Sequence, residues 1–159
     1  MAIEVRITKD FDLAKVSRRL LKLAGATLSV IGNSYAEETR KRIVRKQLFK
    51  SRSGALLNSI MAVPESDTRV VIFGAGKDNF LEYGKFLEFG TKGPYLIRPK
   101  ERKALAIPTP KGLIFRKKAV HPGIRPRRYF FGDYEKKMAK ALNEGRLFFR
   151  SKLPEALND

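Results

Sequence analysis

Side chains able to pass a proton, hold a metal or attack a carbonyl are few in this chain, and they are not grouped. There is one histidine, His121, and no cysteine. A disulfide, a thiolate metal site and a multi-histidine metal site within one chain are thereby excluded. His121 stands in His121-Pro122-Gly123, where proline fixes the backbone and glycine permits a turn. It reads as a hydrogen-bonded turn residue. Glu82 and Glu88 are the carboxylates of an aromatic stretch, and neither is spaced to work with a base or a nucleophile. Gly74-Ala75-Gly76-Lys77 looks like a phosphate loop, but the Walker pattern puts four residues between its glycines and Ser or Thr after the lysine. Here one residue intervenes and Asp78 follows, so the stretch reads as an ordinary loop. Metal-assisted hydrolysis needs clustered acids or several histidines. No enzymatic activity and no cofactor are expected.

What the chain has in quantity is positive charge. Its formal net charge is +18. From Thr39 to Pro64 there are seven Lys or Arg and no acid, and from Lys92 to Arg128 twelve against Glu101 alone. A field of this size recruits polyanions or acidic partners. It also serves as a solvated face that keeps a protein soluble, and composition does not choose between the two. With 159 residues, 43% apolar and 31% charged, the expectation is one folded domain with an ordinary core. No apolar run approaches the length that spans a bilayer, and Met1 to Arg6 lack a signal-peptide design. A soluble protein made in a cytoplasm is expected.

The elements that must carry these residues follow from periodicity. Ile3, Val5 and Ile7 alternate with polar residues, which predicts a short strand. Asp10 offers a helix cap, and Leu13, Val16, Leu20 and Leu23 then recur at helical spacing to about residue 24. Gly25 is placed to break or bend that helix. A second helix is predicted from about Thr27 to Gln47, with Leu28, Ile31, Tyr35, Thr39 and Ile43 near one face. Its basic cluster, Arg40, Lys41, Arg42, Arg45 and Lys46, suits either the helix dipole or a DNA-facing role. Ser51-Arg52-Ser53-Gly54 reads as a turn leading through Leu56, Leu57 and Ile60 into a strand that ends near Pro64. Thr68 to Phe73 is its antiparallel partner. Phe80 to Phe89 predicts a short helix stopped by Gly90. Ala104 to Pro108 and Gly112 to Arg116 predict a hairpin that reaches away from the body. A last helix is predicted from Asp133, its cap, with Tyr134, Met138, Ala141 and Leu142 inward and Lys136, Lys137 and Lys140 outward. Gly145 leaves its end open, and Pro154 is expected to stop it.

Three of these stretches, in this order, carry a resemblance. They are Ser53-Gly54-Ala55-Leu56-Leu57-Asn58-Ser59-Ile60, then Glu88-Phe89-Gly90-Thr91 after the aromatic Tyr83, then His121-Pro122-Gly123 followed by Arg-Pro, aromatics and a helix. Over roughly residues 10 to 145 the chain resembles the tail-completion or neck proteins of long-tailed bacteriophages, small minor tail components also described as virion morphogenesis proteins. Tyr129-Phe130-Phe131 stands where such proteins often have a Pro-Phe-Leu type of ending. The resemblance implies structural roles for Gly54, Ser59, Glu88, Phe89, Gly90, Thr91, His121, Pro122 and Gly123.

The expected fold is α+β, with two or three helices packed on a mostly antiparallel sheet and a protruding hairpin near residues 104 to 116. The resemblance implies a homo-oligomeric ring, a hexamer in the particle, at the neck or tail end of the virion and in the host cytoplasm during assembly. A connector or adaptor protein would lie on the head side and a tail-tube or tail-terminator protein on the other. Double-stranded DNA would pass through the lumen without base reading, and no membrane is involved. Arg40, Lys41, Arg42, Arg45 and Lys46, and Arg98, Lys100, Arg102 and Lys103, are the candidates to face DNA or a partner. The competing expectation is a basic nucleic-acid-binding α+β module, although no RRM, KH or helix-turn-helix signature is present.

Overall fold

The computed structural model describes residues 13–49, 53–74, 83–100 and 102–157. The strand expected over residues 3–7, the Asp10 cap, Ser51-Arg52, Ala75 to Lys77, Asp78, Phe80, Glu82 and Glu101 lie outside them. The fold is α+β, with four helices and six strands among the described residues.

Helix α1, Leu13–Arg45, is a single rod of 33 residues, about 50 Å long at the usual helical rise. The expected break at Gly25 does not occur. A hairpin formed by β1, Met61–Ser66, and β2, Arg69–Phe73, lies across this helix and explains the glycine. A Cβ at Gly25 would stand 2.9 Å from the Asp67 Cα, and one at Gly32 2.9 Å from the Ala62 Cβ. The missing side chains let strand and helix approach, and that packing offsets the roughly 1 kcal/mol each glycine costs a helix.

Helix α2, Ala55–Ser59, is a single turn where the sequence suggested a direct run into the strand. It turns Leu56 and the following Ile60 fully inward. Helix α3, Tyr83–Phe89, ends at Gly90 as expected. Helix α4, Tyr134–Leu157, runs antiparallel to α1, with Lys137 beside Thr39 and Gly145 against Ile31 and Thr27. Gly145 is a contact point between the helices and leaves α4 intact. Pro154 also sits inside the helix, contrary to expectation. Less than one turn follows it, and the buried Ala156 holds that remnant against the body.

The core gathers Ala36 and Ile43 of α1, Leu56, Ile60 and Tyr129, with Phe49, Ile72, Leu87 and Phe130 packed around them. Among the described residues the strands form three separate two-stranded antiparallel ribbons and no larger sheet. Beyond β1–β2 these are β3, Tyr95–Ile97, with β6, Ala119–His121, and β4, Leu105–Thr109, with β5, Gly112–Arg116. The β4–β5 hairpin is the one expected. The β3–β6 pair was not foreseen, because three residues are too few for an alternating pattern to register. Ile97 pairs with Ala119 and Leu105 with Arg116, so the two ribbons follow one another along a single arm. Neither packs substantially on a helix.

Candidate assembly surfaces

The arm leaves and re-enters the body through a clamp. Glu88, the penultimate residue of α3, is 4% exposed, and both its oxygens are used. Oε2 accepts the Phe130 N–H at 2.8 Å and Oε1 the Phe131 N–H at 3.1 Å. Around it, Arg127 N–H donates to the Leu87 carbonyl at 2.7 Å, and Thr91 N–H to the Ile124 carbonyl at 2.9 Å. The Thr91 hydroxyl accepts the Ile124 N–H at 2.8 Å. Gly90 has φ +76°, and a Cβ there would stand 2.6 Å from the Ile124 carbonyl oxygen. Only glycine fits both that backbone shape and that approach. His121 Nδ1 accepts the Gly123 N–H at 3.0 Å and stacks on Tyr95, so it is the turn residue its context suggested.

The structure therefore brings together Glu88, Gly90, Thr91, His121, Pro122 and Gly123 at the arm's root. Phe89 belongs to the same helix but is 69% exposed, and it meets Phe131, itself exposed, at a ring distance of 6.3 Å. Gly54 and Ser59 are elsewhere. Gly54 takes φ +74° before α2, and the Ser59 hydroxyl closes that turn on the Leu56 carbonyl at 2.8 Å.

Behind the clamp lies a polar knot between α1 and α4 that the sequence did not disclose. The Phe130 carbonyl accepts the Tyr35 hydroxyl at 2.9 Å and also Lys137 Nζ. Lys137, expected outside, is 4% exposed. Its ammonium also donates to Thr39 Oγ1 at 3.1 Å and sits 4.5 Å from the centre of the Tyr35 ring. Burial, reinforced by the Arg42 charge, pushes the lysine down to about 8. Arg42, also buried, donates to Asp133 at 2.9 Å and to the Arg128 carbonyl at 2.9 Å. Lys46 reaches the same carboxylate at 2.7 Å. Hydrogen bonds from Lys46 and Arg42 hold Asp133 well below the usual carboxylate range. Asp133 stands at the cap position expected, its carbonyl accepting the Lys137 N–H at 3.1 Å, while its side chain serves the ion pairs and its φ is +53°.

This knot predicts a pH signature. Lys137 loses its proton near pH 8 when folded and near 10.5 when unfolded, so the unfolded chain holds the extra proton between those values. Stability then rises with pH. Above about pH 10 the raised Tyr35 and Tyr129 hydroxyls reverse the trend, because the unfolded chain ionises them first. Lys137→Met is expected to remove a rise on the order of 2 kcal/mol between pH 8 and 10. Denaturant melts across that range check it, and a rise that persists in the variant counts against a buried, charged Lys137.

The two sets of candidate cations are differently placed. Those on α1 are engaged. Arg40 donates to the Ile60 carbonyl at 2.5 and 3.1 Å, Lys41 pairs with Glu37 at 2.6 Å, Arg42 and Lys46 hold Asp133, and Arg45 lies in the field of Glu38. Arg98, Lys100, Arg102 and Lys103 are exposed on the arm and have no ion-pair partner among the described residues. Further out, Ala106 faces Phe115 and Pro108 faces Leu113 across β4–β5. Directly opposed residues share a face, so this face of the ribbon is wholly apolar. Leu113 is 62% and Phe115 67% exposed. Among the described residues, no three His, Asp or Glu side chains are grouped to hold a metal ion.

What these surfaces offer is contact: an apolar ribbon face, an aromatic ridge and a row of free cations. The chain matches no protein-family model, no curated protein and no solved structure.

Proposed function

We propose that this chain is a structural protein of the neck or tail end of a long-tailed bacteriophage, forming a ring that joins the DNA-filled head to the tail. The observation that carries this reading is the arm. A two-stranded ribbon is marginally stable in water by itself. This one exposes Leu113 and Phe115 on an uncharged face with no helix to cover it. Such a face calls for another protein surface. The residues that carry the resemblance to neck proteins support the same reading, because most of them build the root that aims the arm.

In a ring, each interface joins one patch to a different patch on the neighbour. The arm tip is one patch. The exposed ridge of Phe86, Phe89 and Phe131 at the clamp is the other. Six copies would close the ring, with a connector or adaptor protein above, a tail-tube or terminator protein below, and double-stranded DNA passing through. Like charge on every subunit opposes closure before the partners are met.

Electron microscopy of particles assembled without this chain tests the proposal. Full heads and separate tails are expected, and supplying the chain restores joining. Complete, infectious particles in its absence would overturn it.

A further inference from the structure

The middle of the arm assembles a cation cluster from its two legs. Between the paired Ile97–Ala119 and the paired Leu105–Arg116, residues 98–100 and 102–104 of one leg lie opposite Lys117 and Lys118. That places Arg98, Lys100, Arg102 and Lys103 on one leg beside Arg116, Lys117 and Lys118 on the other, all exposed. None has a carboxylate partner among the described residues. The stretch from Tyr95 to His121 holds eight Lys or Arg and one acid, Glu101, which lies outside the described residues.

We propose that this mid-arm cluster binds the phosphate backbone of double-stranded DNA without reading sequence. Arg40, Lys41, Arg42 and Lys46 already hold carbonyls or carboxylates of their own fold, so binding DNA there would mean breaking those bonds. The arm's cations have no ion-pair partner among the described residues. The exposed face here is charged rather than apolar, unlike the ribbon tip, so it suits phosphates better than a protein groove. The inference rests on the neck reading for its setting, in which it names the surface that meets the DNA. Its test needs only the purified chain, so DNA binding and the role in the particle fail separately.

The test is fluorescence anisotropy of a labelled DNA duplex across a salt series. The wild-type chain is compared with an arm variant carrying Arg98→Gln, Lys103→Gln, Lys117→Gln and Lys118→Gln, and with an α1 variant carrying Lys41→Gln and Arg45→Gln. Each released phosphate contact changes the slope of log K against log salt by about 0.9, so the arm variant should flatten it by roughly 3 to 4. The α1 variant should bind like wild type. Circular dichroism melts confirm that the arm variant is folded. Should it be unfolded, Lys117→Glu with Lys118→Glu, on the two-residue leg, takes its place and should weaken binding at least as much per site. The proposal is overturned by wild-type affinity in a folded arm variant, or by a loss confined to the α1 variant. It is equally overturned if polyglutamate displaces the duplex at equal charge concentration, which would mark the cluster as a site for acidic protein.

Discussion

Glu88→Ala is expected to lower the thermal midpoint by about 6 to 12 °C, the largest effect of any single substitution outside the apolar core. The side chain is 4% exposed and accepts two backbone N–H groups, those of Phe130 and Phe131. Alanine leaves both part-buried donors without that partner. It also removes the negative charge that most favours the protonated form of the buried Lys137. Losing a charged acceptor for two part-buried donors costs about 3 kcal/mol, and a domain of this size shifts its midpoint by about 2 to 4 °C for each of those. Glu88→Gln keeps one carbonyl oxygen but turns an amide toward the second donor, so it should fall between. Phe89→Ala, one residue along and exposed, should move the midpoint little. A calorimetric scan that finds Glu88→Ala within about 2 °C of wild type would refute the clamp as a source of stability.

The second large effect concerns assembly and leaves the fold alone. Leu113→Asp combined with Phe115→Asp should melt like the parent, since both side chains are exposed on the ribbon face. In a closed ring, however, two carboxylates would be driven into a dry contact at every interface. Each costs several kcal/mol without a partner, so joining should fall by about 100-fold or more. The measurement is rescue of particles that lack the chain, scored as heads joined to tails. Full rescue by the double variant would remove the arm tip from the interface and with it the main support for the proposed ring.

Much of the fold was legible because most of its elements are local. The stripe through Tyr35, Thr39 and Ile43 lies buried on α1, the Thr68 to Phe73 strand pairs antiparallel with its predecessor, and the hairpin after Ala104 stands where its turn residues put it. What misled the reading was residue type. Gly25 and Gly145 look like breaks until the partner that needs their missing side chains is known. Lys137 sits four residues before Ala141 and eight before Gly145, on the stripe of α4 that is buried, yet its charge argued for the outside, while Tyr134 and Leu142, expected inward, are 48% and 49% exposed. The clamp was half legible. Glu88-Phe89-Gly90-Thr91 and His121-Pro122-Gly123 announced turns, but nothing local says that a carboxylate will seek amides 42 and 43 residues away. The free and engaged cations look alike in sequence, because engagement depends on which carbonyls and acids the fold brings near.

Because the two legs of the arm are fastened to each other where they emerge, the body is a closed circuit whatever lies beyond the fastening. Lengthening or trimming the projection changes the entropy of one excursion of chain, and each doubling of such an excursion costs only about 0.6 kcal/mol. Reach and stability are thus governed by different residues. A lineage of such proteins could fit joints of different width by editing the span between Pro94 and Pro122 while the two long helices stay as they are.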